Sequence, residues 1–136
     1  MKIELDIIDS MIFSKMKRYV MDEIGAKYNL TDDNFSTVKD NPSDADFPFV
    51  SMSLISATET SNDLEATTLR GGLFTYQINV FDNQSQARTK EIMNYVTKAM
   101  KSMSFRATSL PLFANNGSTF VQVARWQRNF DEGDEL

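Results

Sequence analysis

Residues 73–83 alternate: Phe74, Tyr76, Ile78 and Val80 fall on one side, Thr75, Gln77 and Asn79 on the other. A period of two with that contrast is what a strand shows when one face is covered and the other meets water. The period then changes. Over residues 84–103, Ile92, Val96, Ala99, Met100 and Met103 recur at three- and four-residue steps, while Arg88, Lys90, Glu91, Lys98 and Lys101 fall largely off that stripe. A one-faced strand feeding directly into a one-striped helix constrains the fold strongly, because the helix must lie back across the apolar face of the sheet. Asn83 is expected to cap this helix, with Gln86 three residues on as its reciprocal partner.

The rest of the chain is consistent with that frame. Residues 4 to about 25 read as a second amphipathic helix, with Ile8, Met11, Ile12, Met16, Tyr19, Val20 and Ile24 in one stripe and Gly25 as its stop. Phe13 and Met21 fall off the stripe, either as surface residues or as contacts to another subunit. Residues 29–46 are polar and turn-rich, with a short strand expected at 35–39. Residues 47–57 read as a strand, with Val50, Met52 and Leu54 on one side. Residues 58–72 break the alternation and read as a long hairpin connection, far beyond the usual length of about 2–5 residues; Gly71 and Gly72 free the backbone to turn back. A strand over 104–113 ended by Pro111, a turn at Asn115-Asn116-Gly117 and a long last strand over 118–130 complete the series. The acidic end, residues 131–136, is expected to fray. The expected fold is a single α+β domain: a mostly antiparallel sheet of about four to five strands with two amphipathic helices on one face.

Composition removes whole classes of function. The chain of 136 residues has neither cysteine nor histidine, so disulfides, zinc-thiolate sites, Ser-His-Asp and Cys-His catalysis are excluded. A net charge of −5 argues against strong duplex-DNA binding. No run of about 18 apolar residues is long enough to cross a membrane. The acidic start, Glu4 and Asp6, is unlike a signal peptide, so the chain is expected to begin in a cytoplasm.

The order of elements, carried by the run from Phe74 to Asn83, the helix over 84–103, Phe105 and the final strand closing on Arg128, Asn129, Phe130 and Asp131, resembles the tail terminator (tail completion) proteins of long-tailed bacteriophages. The layout covers nearly the whole chain, through a pattern of strands and aromatics rather than an invariant chemical motif. The resemblance implies a structural virion protein of the tail or neck, made in the bacterial host cytoplasm. It implies a homohexameric ring that caps the tail tube, stops its polymerisation and gives the head connector a docking surface. Self, the tail tube protein and the head-tail connector are then the partners, and DNA passes through the bore without specific binding. No enzyme activity, cofactor or metal is implied. Other head-tail joining or tube proteins, and a small ligand- or peptide-binding domain with a pocket between helix and sheet, are the alternatives.

Candidate interface residues follow from two places. Glu59, Asp63, Leu64, Glu65, Leu69 and Arg70 sit in the expected long loop, where two large apolar residues in polar surroundings suit anchoring to a partner; a solvated loop is the simpler alternative. Acid-base catalysis by Glu59, Asp63 and Glu65 would need a rigid cleft that separates their pKa values. Arg125 and Arg128 flank Trp126 on the last strand, and are read as forming an intersubunit ion pair or as charges protecting an edge strand. Asp32, Asp33, Asp40, Asp44 and Asp46 lack the spacing of a calcium loop. Lys15, Lys17 and Arg18 read as a solvated helix face rather than a nucleic-acid contact.

Overall fold

The computed structural model describes residues 2–37, 47–62, 69–115, 117 and 119–136, without side chains for residues 61, 62, 69 and 70. A turn of 3-10 helix, Leu5–Ile7, leads into α1 (Ile8–Tyr28), and a second, Asp32–Asn34, leads into β1 (Phe35–Ser36). Then follow β2 (Phe49–Asn62), β3 (Leu69–Asp82), α2 (Gln86–Ser102), β4 (Arg106–Phe113) and β5 (Phe120–Asp131). The five strands form one sheet in the order β1-β2-β3-β5-β4. All pairings are antiparallel except β1 with β2. The expected α+β architecture is therefore observed.

The alternation in β3 sets the layers. Phe74, Tyr76, Ile78 and Val80 are buried beneath both helices, with Val50 and Met52 from β2 and Ala124, Trp126 and Phe130 from β5. The helices contribute Ile12, Met16 and Val20 from α1 and Ile92, Met93, Val96 and Met100 from α2, all fully buried. Each such side chain contributes about 1.5–3 kcal/mol on burial. Aromatic edges close one end of this layer: Phe105 meets Phe130 at 5.5 Å and Tyr76 at 6.0 Å between ring centroids, both near T-shaped. Phe13 and Met21, off the stripe, are half-buried and pack against the same core.

Several boundaries differ from the sequence reading. Gly25 does not stop α1; the helix continues to Tyr28, where Asn29 takes the left-handed conformation (φ 55°) and its backbone N–H reaches the Gly25 carbonyl. Ser85, not Asn83, caps α2, its side chain accepting from the Arg88 backbone N–H at 3.1 Å. Arg88 stands where the expected reciprocal Gln partner would be, so no capping box forms there. Pro111 does not end β4, which runs on to Phe113; an outer strand tolerates a residue without an N–H. The long connection over 58–72 is mostly strand: Thr58, Glu59 and Ser61 pair with Leu73, Gly72 and Gly71. The acidic end does not fray either. Ile3 N–H donates to Asp134 O at 2.7 Å and Gly133 N–H to Ile3 O at 3.1 Å, so the two ends of the chain pair.

Candidate functional site

The sheet has one face covered by helices and one open, and the open face is built as a polar net. Cross-strand pairing brings Gln77 beside Arg125 and Thr75 beside Gln127. Arg125 Nε donates to Gln77 Oε1 at 3.0 Å and Gln127 Nε2 to Thr75 Oγ1 at 3.0 Å. Arg106 Nη2 reaches Gln127 Oε1 at 2.8 Å, and Thr60 Oγ1 donates to Asn129 Oδ1 at 2.7 Å. Side chains tied in this way keep a pleated face ordered while it meets water. Beyond the net the face is no longer open: Phe49, Phe81 and Val121 are buried in a small second apolar cluster, with Phe47 and Val123 packed against it.

The flanks of the sheet are different in kind. Among the described residues, β1 pairs with β2 only at Val50 and Ser51, so β2 beyond that point forms a rim, and residues 53–60 are exposed. On the far side β4 is the outer strand. Among the described residues, Leu54, Ile55, Leu110, Leu112 and Phe113 are exposed large apolar side chains on these two rims; Ile7 lies elsewhere. Leu110 is 73% exposed. A lone exposed leucine is ordinary; apolar side chains gathered along outer strand edges are the kind of surface that another chain can cover.

The predicted residues distribute unevenly over this surface. Glu59 is an exposed residue of the β2 rim. Asp63, Leu64 and Glu65 lie outside the described residues, as do Asp40, Asp44 and Asp46. Leu69 and Arg70 begin β3, and their side chains are likewise outside the described set. Arg125 and Arg128 point to opposite faces, because they are three residues apart on one strand. Arg125 belongs to the polar net. Arg128 lies on the helix side, where it donates to Met103 O at 2.6 Å and Glu135 O at 2.8 Å, with its guanidinium 4.3 Å from the Phe130 ring centroid. Those contacts fix the chain end to the core, which is a structural role. β5 lies between β3 and β4, so neither arginine protects an edge strand. The rims themselves escaped sequence reasoning. Their signal was present as Leu54-Ile55 and Leu110 to Phe113, but which strands are outermost is a property of topology.

The remaining charged groups are mostly engaged within the fold. Lys15 Nζ donates to Leu136 O at 2.7 Å, and Lys17 pairs with Asp32 at 3.3 Å. Asp82, with a fully buried side chain, accepts from Arg88 Nε at 2.8 Å and from Ser85 N–H at 3.0 Å. Tyr28 donates to Glu91, which also meets Lys27 at 2.7 Å. These donors, Lys27 first, hold the Glu91 carboxyl below the usual range. Among the described residues, no group of three or more acidic side chains is placed to hold a metal ion, and no helix is long and apolar enough to cross a membrane.

The helix–sheet layer is filled by Tyr76, Trp126, Phe105 and Met100, each under 2% exposed. Among the described residues, cavities open at its margins. An open groove of about 600 Å³ runs along the outer side of α1, past Ile7, Met11 and Tyr19. A smaller one of about 400 Å³ lies where Asp9 and Phe13 face Met52 and Tyr76. The first is walled chiefly by α1 alone; the second lies between α1 and the sheet and brings Asp9, Ser10, Thr37, Ser53 and Tyr76 together, with Tyr76 donating to Asp9. Compared with known protein families and with curated proteins, the chain matches none.

Proposed function

We propose that the chain is a structural virion protein whose copies close into a ring, a homohexamer in keeping with the resemblance to tail terminators, and that this ring caps a phage tail tube. One face of the ring fits the last ring of tube subunits, and the other offers the head-tail connector a docking surface. Growth stops because the outer face does not reproduce the tube surface, and DNA passes through the bore without sequence-specific contact.

The observation that supports this reading is the pair of unlike apolar rims on opposite flanks of one sheet. Two different surfaces on opposite sides of a protomer meet head-to-tail, and such a contact closes when its rotation divides a full turn. An organised polar face and a filled core suit a wall element better than a container for a ligand.

Light scattering and negative-stain imaging of the purified chain, alone and with tube protein, test the reading. Closed rings of uniform stoichiometry are expected, and shortened tubes when the ring is added to polymerising tube protein. A strict monomer at high concentration, unchanged by tube protein, overturns it.

A further inference from the structure

We propose that the exposed rim of β2, residues 53–60, is completed by β4 of a second copy of this chain, so that one sheet runs without interruption from protomer to protomer. The proposal rests on the ring reading and names the contact that would close it.

Four observations carry it. First, among the described residues both rims lack a strand neighbour over a useful length: β1 leaves β2 after Ser51, and β4 has β5 on one side alone. A long apolar edge is a template for another chain, and natural proteins cover or charge such edges. Second, the rims carry opposite charge. Glu59 is the one charged residue within 53–60, and Arg106 the one within β4. Pairing β2 with β2 would bring two acids to the seam, and β4 with β4 two bases; crossing the rims brings one of each. Third, the strand directions already agree. β2 is antiparallel to β3, β3 to β5 and β5 to β4, so β2 and β4 run in opposite senses within one protomer. Rotation about an axis lying along the strands preserves that relation, so the rims of neighbours meet antiparallel without either turning over. Fourth, the apolar side chains sit where the strands would meet: Leu54 and Ile55 on one rim, Leu110 and Leu112 on the other. Pro111 offers no N–H, which leaves a gap in the donor series of β4 and limits how far the register can slide.

Two rim variants test this by complementation. Leu54→Lys/Ile55→Lys blocks one rim and Leu110→Lys/Leu112→Lys the other, all at exposed positions where the fold tolerates substitution. Each variant should keep the parent's circular dichroism and remain monomeric at concentrations about 100-fold above the parent's assembly midpoint. Mixed one to one, each protein supplies the intact rim that the other lacks, so the mixture should form heterodimers and nothing larger. Hydrogen exchange of the unmodified protein gives a second measurement: amides in 53–60 and 106–110 should slow on assembly. Variants that assemble like the parent, variants that dimerise alone, a mixture that stays monomeric or closes rings, or rim amides that exchange equally fast in both states each overturn the proposal. Rings that persist in the blocked variants refute strand pairing and leave the ring reading standing; a parent that never assembles refutes both.

Discussion

Replacing Arg88 by methionine isolates the one ion pair among the described residues whose acid is fully buried. Asp82 ends β3, and its carboxylate accepts from Ser85 N–H as well as from Arg88, which ties the end of the strand to the first turn of α2. The Arg88→Met change keeps an unbranched apolar stem and removes the guanidinium. Asp82 then keeps the Ser85 N–H and loses its charged partner. Breaking a buried pair on one side costs about 3–5 kcal/mol. The Arg88 side chain is 20% exposed, so water reaches the vacated place, and the expected loss is at the low end, about 3 kcal/mol. For a chain of 136 residues that corresponds to a fall in Tm of roughly 10 °C. Urea unfolding followed by the fluorescence of the single tryptophan, the buried Trp126, measures it directly. The double-mutant cycle with Asp82→Asn should show a coupling of about 2 kcal/mol. If Arg88→Met stays within about 0.5 kcal/mol of the parent, a surface-like value, the pair is effectively solvated and the reasoning fails.

Three further outcomes follow from the geometry. Burial, reinforced by donation to Asp9, pushes the Tyr76 hydroxyl well above its ordinary 10.0, so the folded state keeps a proton that the unfolded chain releases. The stability this confers is fully present below pH 10.0 and is lost as pH rises beyond it, and Tyr76→Phe should flatten that alkaline decline in urea titrations at pH 7 and 10.5. A Cβ at position 72 would lie 2.9 Å from Phe74 Cε2 and 3.2 Å from the Thr58 carbonyl oxygen. Gly72→Ala should therefore cost about 1–2 kcal/mol in the same unfolding assay. Deleting residues 133–136 removes the Gly133 and Asp134 bonds to Ile3 and the acceptors for Arg128 and Lys15, and should cost about 2 kcal/mol and expose the first residues to proteolysis.

What was legible in the sequence was whatever a local period could report. β3 alternates because helices cover one face, and every residue of the expected α2 stripe is buried for the same reason. The end of β2 beyond residue 57 was not legible. Residues 53–60 are exposed on both sides, so selection for a covered face left no alternation, and a Ser/Thr-rich strand resembles a loop. Gly25 looked like a helix end, yet its place on α1 has room for a side chain, Met21 Cβ lying 3.7 Å from a built Cβ, and the left-handed stop fell to Asn29. Asn83 was the nearer cap candidate, but Asp82 draws the Ser85 N–H and sets Ser85 at the cap. The pairing of the two chain ends joins residues more than a hundred positions apart, beyond any local pattern.

That pairing decides how the protein can be handled. With Lys2 bridged to Glu135, a label or fusion partner attached at either end emerges from the same corner of the protomer. In a closed assembly, gold particles or fluorophores carried at the amino end of one batch and the carboxyl end of another would sit at one radius and one height. The choice of tagging site therefore does not alter what an imaging experiment sees.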